Sequence, residues 1–185
     1  MRDAGTKLLL HACCGPCSAG CLGGLEEEGI KPDLFWYNPN IHPWTEYRSR
    51  RDCLEGLAGR KNLKLLKIDE YGLRLFLGGL GAGGGNGAKA GRCGYCYRLR
   101  LEKTAETARR EGYDCFSTTL LISPYQRHDD IKKTGEELAA RYGVPFFYRD
   151  FRPLFRGGQK TAREQGFYMQ KYCGCIFSEE ERYAP

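Results

Sequence analysis

No stretch of this 185-residue chain approaches the ~20 consecutive apolar residues that a membrane-crossing helix needs, so a helical membrane protein is not expected. An internal repeat is also missing, which removes solenoids and propellers. So is a dinucleotide fingerprint: the glycines of residues 78–91 do not run from a strand into a helix at the required spacing. No secretory leader is legible and the chain is longer than a disulfide-stapled mini-domain, so the expectation is a cytoplasmic protein with no membrane partner. Neither sign of charge dominates. Lys plus Arg number 29 against 23 for Asp plus Glu, a net +6 that permits a nucleic-acid partner without demanding one. A chain of this length can bury a core without staples, and one domain over residues 1–185 is expected.

What the chain does have is ten cysteines, most of them clustered. Cys13, Cys14, Cys17 and Cys21 open it, Cys93 and Cys96 stand in the middle, and Cys173 and Cys175 lie near the end. Thiolates two or three residues apart can converge on one soft metal, because a tight turn aims neighbouring side chains at one point. Spacing alone offers two C-x-x-C pairs, Cys14/Cys17 and Cys93/Cys96, whose four thiolates suit structural zinc or a 4Fe-4S cluster. A closed zinc site would leave Cys13, Cys21, Cys173 and Cys175 unused. Cys21, one helical turn after Cys17, reads as a buried helix residue, and Cys53 and Cys115 as small apolar side chains. Cys173-Gly174-Cys175 differs from all of these. Two thiols so close can form only a small, strained disulfide ring, the labile and redox-active kind.

Strand and helix signals alternate. Residues 7–12, 33–37, 63–68, 115–122 and 144–148 read as strands, and 17–28, 44–59, 93–111 and 125–142 as helices. Strands separated by helices imply right-handed crossovers and a parallel sheet, an α/β fold with ligands beyond the carboxyl ends of the strands. The first cysteine cluster and the turn from Asn38 to His42 both fall at such ends. Residues 78–91, rich in glycine, can bury little apolar surface and read as a flexible loop.

Six segments carry a resemblance to a known family: HACCGPCS at 11–18, YNPNIHPWTEYRSR at 37–50, RCGYCYRLRLEKTA at 92–105, STTLLISPYQ at 117–126, DFRPLFRGG at 150–158 and YMQKYCGCIFS at 168–178. The chain resembles the cobalamin-independent epoxyqueuosine reductases over nearly its whole length. That resemblance implies an adenine-nucleotide alpha-hydrolase-like sheet whose phosphate loop is replaced by thiolates. It implies reduction of the epoxide of epoxyqueuosine, at the wobble position of tRNA, to queuosine. A 4Fe-4S cluster would be held by Cys13, Cys14, Cys93 and Cys96, with no cobalamin, an additional iron at Cys17, and Cys173 with Cys175 as a redox pair. The electron donor is not legible. Two rival readings are a zinc-stabilised RNA-binding module without catalysis and an adenylating tRNA thiolation enzyme.

Further candidates follow from position. Asn38, Asn40 and His42 close a strand end and could meet the substrate base, though an asparagine beside proline also serves a turn. Glu46 and Tyr47 open the next helix, and Asp69 ends a strand as a candidate metal ligand or proton donor. Tyr125, Gln126, Gln170 and Tyr172 suit stacking on and hydrogen bonding to an unstacked base. Residues 149–178 form a basic segment with Arg149, Arg152, Arg156, Lys160, Arg163 and Lys171, where Arg152 is expected to meet phosphate.

Overall fold

The computed structural model describes residues 5–81 and 89–184. Four parallel strands make the sheet: β1 (Leu8–His11), β2 (Asp33–Trp36), β3 (Leu65–Lys67) and β4 (Cys115–Thr118), in the order β3-β2-β1-β4. Seven helices surround it among the described residues: α1 (Gly15–Glu27), α2 (Trp44–Arg60), α3 (Leu73–Gly81), α4 (Lys89–Arg110), α5 (His128–Tyr142), α6 (Phe155–Glu164) and α7 (Ile176–Tyr183). None is long and apolar enough to cross a membrane. The parallel α/β architecture expected from the alternating signals is the one found. β1 is central, and Leu8, Leu9 and Leu10 are all buried, as in a strand covered on both faces.

The strand order reverses between β1 and β4. In open α/β sheets, the crevice beyond the carboxyl ends of such strands is where ligands collect. The turn after β1 therefore enters the most favourable place this topology offers.

Several boundaries differ from those read in the sequence, each for a local reason. The strand expected over 115–122 stops at Thr118, whose hydroxyl accepts the Leu120 N–H and starts a 3-10 turn over Thr119–Ile122. The expected fifth strand over 144–148 shrinks to one parallel bridge, Phe116 with Phe146. Pro145 has no N–H to give, so only its carbonyl joins, accepting from Phe116 N at 3.0 Å. The glycine-rich loop is narrower than 78–91, because Gly78–Gly81 close α3 and Gly91 lies within α4. Residues 82–88 of that expected loop lie outside the described residues. The basic segment 149–178 carries three unforeseen helical pieces, a 3-10 turn over Arg152–Leu154, then α6, and the start of α7. α6 packs on α1 so closely that a Cβ on Gly158 would sit 2.8 Å from the Gly20 Cα.

Candidate metal centre

β1 ends at His11, and the chain turns at once. Cys14 caps α1 in an extended conformation (φ −172°, ψ 165°), its sulfur accepting the Cys17 N–H at 3.4 Å, with Pro16 in the first helical turn. That turn removes the strand alternation that would send Cys13 and Cys14 to opposite faces. Their sulfurs lie 3.8 Å apart, and those of Cys13, Cys14 and Cys17 are all within 4.8 Å of one another and buried. Among the described residues this is the one group of three or more thiol, imidazole or carboxylate side chains close enough to share a metal ion. Its donors are all sulfur, which fits a soft metal. Both readings of the first cluster, Cys14 with Cys17 and Cys13 with Cys14, thus meet in one place.

Hydrogen bonds divide the charge unequally within the trio. Thiol hydrogen bonds from Cys14 and Cys17 hold the Cys13 pKa well below the usual thiol value against burial, helped by Thr119 and Arg100. Burial, with Cys13 beside it, pushes Cys14 up, and the hydrogen bonds to Cys13 and Cys14 push Cys17 up. The Thr119 hydroxyl accepts from Cys13 N at 3.2 Å and donates to its sulfur at 3.5 Å. The Gln170 amide donates to the Cys14 sulfur at 3.0 Å and to the Cys17 sulfur at 3.6 Å.

Cys93 and Cys96 sit in the first turns of α4 and are not part of the trio. Cys96 is buried with Cys175, Phe76 and Leu80 in a small apolar cluster, and burial pushes its pKa up to about 12. Cys173 is exposed, Cys175 is buried, and neither is in a disulfide. The loop that carries them is pinned from below by Arg50. Its Nη1 donates to the Cys173 carbonyl and its Nη2 to the Tyr172 carbonyl, each at 2.9 Å, while its Nε pairs with Glu46 at 2.6 Å. Glu46 in turn accepts from the Tyr168 hydroxyl.

One cleft of about 330 Å³ opens over the trio. Cys13 and Cys17 form its floor, Cys173 one wall, and Arg50, Arg100 and Lys171 supply positive charge. Five of the residues expected to meet substrate line it: Asn40, Tyr125, Gln126, Gln170 and Tyr172. The Asn40 Oδ1 and Gln170 Oε1 are buried without a hydrogen-bond partner. Tyr125 is 84% exposed and meets Phe155 edge-on, an aromatic face at the mouth. Gln126 takes a hydrogen bond from Tyr97 at 2.8 Å and donates one to the Cys173 sulfur at 3.4 Å.

Four other expected residues are elsewhere, with clear reasons. Asn38 is buried and donates to the Ala12 carbonyl at 2.9 Å, bracing the turn that carries Cys13. His42 is fully buried: its Nε2–H donates to the Pro39 carbonyl at 3.0 Å, and Nδ1 accepts from Ile176 N at 3.3 Å. It anchors the loop of Cys173 and Cys175 instead of lining the cleft. Asp69 accepts from the Tyr47 hydroxyl and is ion-paired with Arg51, outside the sulfur group. Arg152 lies outside the cleft lining and is paired with Asp150, and Arg149 with Glu28. Reading the sequence missed Arg50 and Arg100. Glu46 four residues before Arg50, and Arg100 one helical turn after Cys96, were the available signals.

The family model described as "Epoxyqueuosine reductase QueH" matches residues 8–181. A protein named epoxyqueuosine reductase QueH from Dehalococcoides mccartyi is 37% identical over 177 residues, covering 96% of this chain and 94% of its own. One of the same name from Thermotoga maritima is 34% identical over 180 residues, covering 95% and 91%. Among solved structures, a predicted subunit of tRNA methyltransferase from Methanocaldococcus jannaschii aligns with 86% of this chain and 75% of its own, at 17% identity and a TM-score of 0.46.

Proposed function

The chain belongs to the epoxyqueuosine reductase QueH family, and from that premise we propose that it reduces the epoxide of epoxyqueuosine, at the wobble position of tRNA, to queuosine. The observation that carries this reading is the cleft itself, whose reactive groups are sulfur and whose lining holds, among the described residues, no carboxylate and no imidazole. Hydrolysis driven by a carboxylate or an imidazole finds no such group in that lining. Two-electron reduction finds thiols there.

The overall change is balanced with a dithiol as reductant. Both C–O bonds of the epoxide break, a C=C bond forms, and the oxygen leaves as water. Two S–H bonds are lost and one S–S bond is made between Cys173 and Cys175. An external donor must then reduce that disulfide again. Cys173 is placed at the cleft, and Cys175 is buried behind it beside Cys96.

A 4Fe-4S cluster held by Cys13, Cys14, Cys93 and Cys96, with Cys17 able to take an additional iron, is the cofactor of this proposal. Such a cluster supplies or relays single electrons when bound. The convergence of Cys13 and Cys14 supports half of that ligand set directly. Support for the other half is that Cys13 and Cys96 both lie within electrostatic reach of one guanidinium, that of Arg100. The protein's own task is to hold the base against the thiols. Unpartnered acceptors at Asn40 and Gln170 and the Tyr125 ring at the mouth suit an unstacked nucleoside.

Anaerobically purified protein, given a chemical reductant and tRNA carrying epoxyqueuosine, should contain iron and acid-labile sulfide and should produce queuosine, read by nucleoside mass spectrometry. Protein that holds zinc without iron and leaves the epoxide intact contradicts the proposal and favours a structural RNA-binding module.

A further inference from the structure

Arg100 and Arg50 are equally buried, each 2% exposed, and they differ in what their nitrogens do. All three nitrogens of Arg50 are engaged, on Glu46, Cys173 and Tyr172. Arg100 donates only its Nε, to the Cys96 carbonyl at 3.2 Å. Among the described residues its two terminal nitrogens have no hydrogen-bond partner and no carboxylate is paired with it, yet it lines the cleft. A buried arginine is rarely left unpaired, because an uncompensated charge out of water is costly. This guanidinium is therefore built to receive an anion, and it lies within electrostatic reach of Cys96, Cys13 and Cys173.

We propose that Arg100 is a catalytic residue of epoxide reduction, its free terminal nitrogens donating hydrogen bonds to the epoxide oxygen and holding the oxyanion as the C–O bond breaks. This rests on the activity proposed above. When the first C–O bond cleaves, the bonding pair goes to oxygen and a full negative charge appears in the cleft. Arginine stays charged throughout, being far too basic to surrender a proton. The two protons that turn the oxygen into water come from the thiols of Cys173 and Cys175, which finish as a disulfide. Neutral donors at the cleft, such as Gln126 and Ser123, can hydrogen-bond the oxygen but cannot match its charge. Lys171, also at the cleft, is a flexible point charge without the planar fork.

The alternative is that Arg100 only offsets the charge of the sulfur groups. Single-turnover reduction of epoxyqueuosine tRNA separates the two when iron content and KM are measured on the same samples. Arg100→Gln should keep its iron and a KM within about twofold of the parent, while kcat falls about 10²–10³-fold, as when one oxyanion donor is removed. Arg100→Lys, which keeps the buried charge and so guards against misfolding, should also retain iron and lose about tenfold in kcat, and added guanidinium should partly restore Arg100→Ala. Unchanged kcat in either variant, or a fall in kcat that follows loss of iron, overturns the proposal. The unsubstituted protein runs alongside, and if it leaves the epoxide intact, the underlying activity fails as well and is identified as the cause.

Discussion

At Cys13 a single side chain gathers most of the local electrostatics. It is bonded by two thiols and a threonine, sits beside a helix start, and feels Arg100. Cys21, only two turns along α1, has none of this and is a neutral buried thiol. Cys13→Ser and Cys14→Ser should therefore lose most of the bound iron, measured by metal analysis of anaerobic protein, whereas Cys21→Ser should keep it. His11 and His42 make a second prediction. Burial is the main cause in both, lowering each pKa to about 4 from near 6.5. Between those values the unfolded chain binds more protons than the folded one, so stability is intact above pH 6.5 and declines as pH falls toward 4. The melting temperature should follow that course, and His42→Gln should flatten its slope. The cysteines at this scale were legible because spacing reports directly on shared ligation. The arginines were not, since a buried guanidinium leaves the same letter in the sequence as a solvated one.

Two junctions between elements hold the cleft together. α1 meets α6 at Gly20 and Gly158, where neither residue has a Cβ and the backbones touch. Gly158→Ala should cost about 1–3 kcal/mol in chemical denaturation, because the new methyl group meets backbone that cannot yield. Glu46 and Arg50 on α2 fasten the Tyr172–Cys175 loop, in which Gly174 has φ +135° and a Cβ would stand 3.0 Å from the Arg50 guanidinium. Gly174→Ala should leave iron content unchanged and lower turnover, with altered alkylation of Cys173 as the readout; unaltered alkylation and turnover would mean that the loop's placement is unimportant. Why α6 escaped notice in the sequence has a physical answer. FRGGQKTARE keeps its apolar face to Phe155, Gly158 and Ala162, and the two buried ones are small because the partner helix is so close, which makes the stripe faint in the sequence. Strands β1 and β2 were legible for the opposite reason, since each is a continuous run of large buried side chains.

Across the whole molecule, the sheet brings residues more than a hundred positions apart to one edge: Cys13 from the β1 turn, Thr119 after β4, and Cys173 near the end of the chain. Charge is arranged at the same scale. With Arg149 and Arg152 paired internally, Arg156, Arg163 and Lys171 are the cations of the basic segment without an ion pair among the described residues. Lys171→Ala combined with Arg156→Ala should weaken tRNA binding and reduce its salt dependence by about one unit of log–log slope for each phosphate no longer neutralised, while Arg152→Ala should change it little. On the proposed function, one cleft joins a wobble base to a dithiol that reduces its epoxide, and the sharpest test is stoichiometric. Fully reduced protein, freed of external donor, is mixed with epoxyqueuosine tRNA, and nucleosides and protein thiols are then counted together by mass spectrometry. About one queuosine per chain is expected, with a new Cys173–Cys175 disulfide appearing in equal amount. Queuosine formed while both thiols stay reduced, or formed equally well by Cys175→Ser, would contradict it.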